Sequence, residues 1–181
     1  FGGFAIQDLS LTVPSGTICG LVGENGAGKS TTIRLALGAL RPDSGSAAVL
    51  GTDVSSPAFT GVKEDVGVVL DEAYFPETLN ALQVGRILAS TYRQWEQKTY
   101  ADYLNRFDLP EKKPFKDFSR GMRMKLSIAA ALSHRPRLLV LDEATSGLDP
   151  IVRDEVLEIF NEFTREEDHS ILISSHIVSD L

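Results

Sequence analysis

The sequence predicts an α/β fold: a core of mostly parallel strands with a helical lobe inserted at about residues 74–133. Three observations point to it. Short apolar segments of strand length dominate the first seventy residues. Between Thr78 and Phe107 the apolar spacing changes to a helical period, with Leu82, Ile87, Leu88, Tyr92 and Trp95 on recurring positions. Beyond Ser133 strand-like and helix-like segments alternate, the order that builds a parallel sheet with helices packed on it.

Taken in order, Ile6 to Val13 alternates apolar and polar residues and predicts a strand near a sheet edge. Pro14-Ser15-Gly16 is a turn, and Thr17 to Val22 predicts a short buried strand. Gly23 to Gly28 is a glycine-rich loop. Lys29 to Leu40 predicts a helix with Ile33, Leu37 and Leu40 on one face. Ala47 to Leu50 and Val66 to Leu70 predict strands. Thr78 to Phe107 divides into two or more helices, and Pro110 and Pro114 break the run. Ser119 stands at an N-cap position before a helix over Met122 to Ser133. Leu138 to Leu141 is wholly apolar, as a central parallel strand requires. Pro150 suits a helix first turn, and Val152, Val156, Ile159, Phe160 and Phe163 form the apolar stripe that follows. Ile171 to Ser174 predicts the last strand.

With 43% hydrophobic and 24% charged residues in 181, the chain can bury a core and is not of disordered composition. No apolar run approaches the ~20 residues of a membrane span, so a membrane role requires a partner chain. The N-terminus does not read as a signal peptide. The net charge of −7 argues against nucleic acid as a main partner. Cys19, the single cysteine, lies in an apolar stretch and reads as a small core residue in a reducing, cytoplasmic compartment. Phe1 is not methionine and the sequence stops just after a strand-like segment, so both ends are expected to be truncated.

Gly23-Glu24-Asn25-Gly26-Ala27-Gly28-Lys29-Ser30 fits the P-loop pattern G-x-x-x-x-G-K-[ST]. Glycines let the backbone turn so that its N–H groups face phosphate oxygens, and the following helix adds its positive end. The loop from Gly23 to Thr31 is therefore expected to bind a nucleoside triphosphate. Lys29 would reach its β- and γ-phosphates, and the Ser30 hydroxyl would ligate Mg²⁺. Leu138 to Leu141 then leads into Asp142 and Glu143. On a buried strand beside the phosphate strand, Asp142 would serve the magnesium through water, and Glu143 would polarise the attacking water as general base.

Further stretches resemble the ABC-type ATPases, and the resemblance covers essentially the whole chain. Ser119-Arg120-Gly121-Met122 resembles the family signature, Ser146-Gly147-Leu148-Asp149 the D-loop, and His176 the switch histidine. Phe1 stands where the family places an aromatic that stacks on adenine. The resemblance implies a P-loop NTPase core (1–73 and 134–181) with an N-terminal antiparallel β part, and an α-helical subdomain (74–133) carrying the signature. It implies ATP and Mg²⁺, a membrane-spanning permease partner at the cytoplasmic face of the membrane, and a head-to-tail homodimer or pseudo-dimer. In that dimer Ser119 and Gly121 would complete the partner's ATP site, and His176 would hydrogen-bond the γ-phosphate. Asp149 would organise the dimer seam.

The sequence also departs from the family pattern. Arg120 replaces a glycine and Met122 a glutamine of the signature, a form found among exporter ATPases. Ala144 replaces a frequent proline. Where the family has a glutamine after the strand ending at Leu70, this chain has Asp71 and Glu72. Asp71 is a candidate Mg²⁺ ligand, at the expense of negative charge near the γ-phosphate. His134 and His169 read as structural. Lys112, Lys113, Lys116, Arg120, Arg123 and Lys125 read first as a solvated face and second as an attraction for ATP. The acids from Asp154 to Asp168 read as the wet side of an amphipathic helix. Tyr74, Phe75 and Trp95 are core candidates, with a grip on a membrane partner as the rival reading.

These features predict the ATP-hydrolysing subunit of a membrane transporter, with export favoured. A soluble ABC-type ATPase acting on ribosomes or nucleic acid is the alternative. The negative charge opposes it, and so does the short interval between Lys29 and Asp142, which has no room for a long coiled-coil insertion. A P-loop binding module without turnover is opposed by the intact Asp142–Glu143 pair.

Overall fold

The computed structural model describes residues 5–71 and 75–176. Phe1, Glu72, Tyr74 and everything beyond His176 lie outside the described residues. Among the described residues the main sheet holds four parallel strands, β1 (Ile18–Val22), β4 (Val66–Val69), β5 (Leu138–Asp142) and β6 (Ser170–Ser175), in the order β1-β6-β5-β4. Two-residue strands β2 (Ala48–Val49) and β3 (Thr52–Asp53) form a separate antiparallel pair. Helix α1 (Lys29–Ala36) follows β1, and the short α2 (Phe59–Val62) precedes β4. The predicted helical segment contains α3 (Ala81–Thr91), α4 (Gln97–Arg106) and α5 (Arg120–Leu132), and α6 (Pro150–Phe163) lies between β5 and β6.

β6 and β5 carry the period-two logic of a sheet buried on both faces. Leu139, Leu141, Ile171 and Ile173 face the larger core, whereas Val140 and Leu172 face a smaller one with Ile33, Val49, Phe59 and Val66. The larger core runs on without interruption into the helical lobe, through Val84, Tyr100, Leu104, Phe115 and Leu126.

The helix starts follow local chemistry. Asn80 and Gln83 form a reciprocal capping box at α3. Ser119 Oγ accepts from the Met122 N–H at 3.3 Å and starts α5, as expected. Asp149 Oδ1 accepts from the Val152 N–H at 3.1 Å and Pro150 fills the first turn of α6.

Three strand readings are corrected. Ile6–Val13 forms no strand: its backbone has no ladder partner among the described residues, and Leu9 and Leu11 are exposed. The antiparallel β part is instead the 48–53 hairpin. β1 is not fully buried. It is an edge of the described sheet, with Ile18 and Val22 exposed, because only β6 pairs with it there. The acidic strand β5 is not beside β1, since β6 separates them.

His134 and His169 are structural. His134 Nδ1 donates to the Glu64 carbonyl at 2.9 Å and the ring stacks on Tyr92 at 4.0 Å. Its burial holds its pKa below the ordinary histidine value, against the raising effect of that hydrogen bond. His169 donates to the Phe163 carbonyl and stacks on that residue's ring. Trp95 packs on Tyr100 and Phe75 on Phe115, both partly buried against the larger core.

The basic cluster is more than a solvated face. Arg123 donates to the carbonyls of Phe118 and Lys116 and lies over the Phe115 ring. Lys125 pairs with Glu155 at 2.5 Å. The acids of α6 likewise receive partners from the lobe, Glu162 taking both arms of Arg106.

Gly85 fixes how closely α3 and α4 approach. A Cβ there would stand 2.5 Å from Cε1 of Tyr100, whose hydroxyl donates to the Ala81 carbonyl at 2.8 Å in the buried core. Burial pushes that phenol far above its ordinary pKa, so it remains a donor. Gly85→Ala is therefore expected to destabilise the chain by about 1–3 kcal/mol through overpacking, despite alanine's better helix propensity. Denaturant unfolding measures it, and an unchanged or raised midpoint would refute the close approach.

Candidate functional site

Parallel register brings the site together. Val22 pairs with Ser175, and Asp142 with Ser174, so the C-terminal ends of β1, β6 and β5 lie side by side. The loop at Gly23, the acids Asp142 and Glu143, and His176 all leave the sheet there, at the edge where open α/β sheets bind ligands.

The loop joins α1 through Gly28, whose φ of 98° is the left-handed region that glycine adopts without strain. Among the described residues no side chain caps α1. The N–H groups of its first turn are thus available to an anion, and the helix dipole favours negative charge at the same place.

Lys29 is buried and folds back under the loop. Its Nζ donates to the carbonyls of Gly23 at 2.7 Å and Glu24 at 3.2 Å, and stands 3.1 Å from Glu143 Oε1. The other carboxylate oxygen, Oε2, accepts from His176 Nδ1 at 2.7 Å. Burial pushes the Glu143 carboxyl up, but the hydrogen bonds and charges of His176 and Lys29 outweigh it and leave the carboxyl below the ordinary glutamate value.

Glu143 also has a φ of 53°, a left-handed conformation that costs a non-glycine residue about 1–3 kcal/mol. Its N–H is held there by the Ser174 carbonyl at 3.2 Å and hydroxyl at 3.0 Å. From there the carboxylate reaches Lys29 of α1 and His176 just past β6.

Asp142 is buried, and its Oδ1 accepts from Ser30 Oγ at 3.0 Å and Ser174 Oγ at 2.7 Å. Ser30 and Asp142 thus set two hard oxygen donors together, a pair that fits Mg²⁺ completed by phosphate oxygens and water. Ser174 went unrecognised in the sequence, where it is only the last residue of an apolar strand. A hydroxyl at the end of a buried strand facing an acid is the signal that could have found it.

Other expected site residues lie apart from this network. Asp71 is not joined to Ser30 or Asp142: its Oδ1 is 2.8 Å from Arg120 Nη2. Ser119 caps α5, with Gly121 in the first turn packed near Val152. Phe1 lies outside the described residues.

Known proteins resemble this chain along most of its length. A family described as "ABC transporter" matches residues 6–146. The chain is 32% identical over 180 residues to the ABC transporter ATP-binding protein YtrB of Bacillus subtilis, covering 99% of this chain and 61% of that protein. It is 40% identical over 161 residues to the daunorubicin/doxorubicin resistance ATP-binding protein DrrA of Streptomyces peucetius, covering 86% and 48%. The chain thus spans roughly half to three fifths of the length of these two relatives. A solved ATP-binding subunit of an ABC transporter superposes with a TM-score of 0.82 at 29% identity, over 93% of this chain and 72% of that one.

The Glu143 contacts set a pH dependence. Because its folded pKa lies below the unfolded value, the ionised carboxylate stabilises the fold above about pH 4.3, and this contribution is lost as pH falls through the lowered folded value. His176→Ala and Lys29→Met are each expected to raise the Glu143 midpoint, followed by carboxyl ¹³C shifts. A midpoint unmoved in both would show that neither contact holds it.

Proposed function

Because the chain belongs to the ABC transporter family, we propose that it binds and hydrolyses ATP to drive a membrane transporter, an exporter. The observation that carries this reading is the single network in which the loop lysine Lys29, the acid Glu143 and His176 meet beside the Ser30–Asp142 pair.

In this reading the triphosphate lies along the Gly23–Gly28 backbone and the first turn of α1. Lys29 exchanges Glu143 for the β- and γ-phosphates. Ser30 and Asp142 would hold Mg²⁺, which would supply neutralising positive charge when bound. Glu143, released from Lys29, accepts a proton from the attacking water while the water oxygen bonds to the γ-phosphorus and the bond to the ADP oxygen breaks. His176 donates a hydrogen bond to the γ-phosphate. Glu143 already lies below its ordinary pKa in the resting chain, so it is in the ionised form a base requires at neutral pH.

Ser119 and Gly121, at the start of α5, complete the ATP site of a second copy in a head-to-tail pair, and the 74–133 segment meets the permease. Among the described residues no helix is long and apolar enough to cross a membrane. A relative named for drug resistance supports export, and relatives named as transporter proteins speak against a role on ribosomes or nucleic acid.

Glu143→Gln is expected to bind ATP with near-normal affinity, to lose turnover by about 10²- to 10⁴-fold, and to accumulate as an ATP-bound dimer on size-exclusion chromatography. Lys29→Ala is expected to lose ATP binding itself. Rapid hydrolysis by Glu143→Gln would sink the general-base assignment.

A further inference from the structure

Two positions at which this chain departs from the family pattern, Asp71 and Arg120, meet in one ion pair. Arg120 Nη2 stands 2.8 Å from Asp71 Oδ1, with both side chains about half exposed. The same guanidinium packs on Gly147: a Cβ there would lie 2.5 Å from Nη1 and 3.1 Å from Cζ. Gly147 has φ +65° and lies in the loop between Glu143 and α6. One side chain therefore touches three segments: the stretch just past β4, the loop past β5, and its own position at the first residue of α5.

The charge arithmetic matters as much as the geometry. A free carboxylate at Asp71 would repel a γ-phosphate placed at the nearby strand ends, whereas a carboxylate paired with a guanidinium presents no net charge. An exposed ion pair contributes little to folding stability. Its value here is directional, since the planar guanidinium fixes where its partners lie. The segments it fixes are those that leave β4 and β5, and the helix it fixes them to is capped by Ser119 and carries Gly121 in its first turn.

We propose that Arg120 is a positioning residue: paired with Asp71 and seated on Gly147, it sets the first turn of α5 against the strand-end loops and keeps Asp71 out of the magnesium shell. The proposal rests on the ATPase reading of the site. It makes Asp71 and Arg120 one unit, whose charges are exchangeable, rather than a metal ligand and a separate signature residue.

A charge swap in the intact protein tests this. Loss of turnover in Glu143→Gln first establishes the ATPase reading by itself, so the swap then tests the pairing alone. Asp71→Arg and Arg120→Asp are each expected to lower kcat about tenfold while KM for ATP stays within about twofold, because alignment rather than ATP binding is lost. The double variant Asp71→Arg/Arg120→Asp is expected to recover to within about threefold of the wild type, the non-additivity that contacting residues show. The neutral pair Asp71→Asn/Arg120→Gln, which can hydrogen-bond in the same place, is a milder version of the same rescue. Asp71→Asn is expected to leave the Mg²⁺ concentration for half-maximal turnover unchanged. Failure of both double variants to exceed the poorer single one would overturn the pairing. A raised Mg²⁺ requirement in Asp71→Asn would make Asp71 a metal ligand and overturn it equally.

Discussion

The site depends on the ladder that seats β6 between β1 and β5. Parallel pairing on both sides fixes the register, and a slip of one residue would turn Ile171 and Ile173 out of the larger core. The buried side chains of β6 therefore lock a geometry whose benefit appears only at the strand ends. There Ser174, Ser175 and His176 emerge between the phosphate-type loop and the acids. Neither Lys29, at the start of α1, nor Asp142, at the end of β5, is placed by its own element alone.

Burying Lys29, Asp142 and most of Glu143 in one place is expensive unless each charge finds partners. The chain meets that cost internally. Lys29 receives two carbonyls and a carboxylate, Asp142 receives two hydroxyls, and Glu143 receives an amine and an imidazole. This self-contained arrangement also orders what a nucleotide must displace. The Lys29–Glu143 contact uses the lysine that the phosphates need and the carboxylate that the attacking water needs, so one exchange prepares both. The left-handed backbone of Glu143 is held by Ser174, which makes an inconspicuous serine the support for the most demanding side chain in the site.

Local chemistry was legible in the sequence, and pairing across the chain was not. The Gly23–Ser30 loop, the Asp142–Glu143 pair, the Ser119 cap and the Pro150 helix start each depend on a few adjacent residues, whose types dictate the backbone they need; the Asp149 cap of the same helix was not read. The alternation of Ile6–Val13 looked equally local. A strand, however, requires a ladder partner, and no alternation pattern supplies one. The order β1-β6-β5-β4 placed a strand from the far end of the chain between two others, which only long-range packing decides. Ser174 carried no motif. Asp71 and Arg120 were read separately, as departures from a pattern, because they are far apart in sequence and meet only through the fold.

Helix α5 starts in solvent at Arg120 and ends in the buried Ser133–His134 corner, where His134 stacks on Tyr92. Most of its last two turns is packed in the larger core. A helix of this length is a rod of roughly 20 Å, packed in the core at one end and held at the other by the exposed Arg120–Asp71 pair. Mechanically it is a lever with its fulcrum in the core. A tilt of about 5° at the packed end would sweep the Ser119 end through roughly 2 Å for a rod of that length.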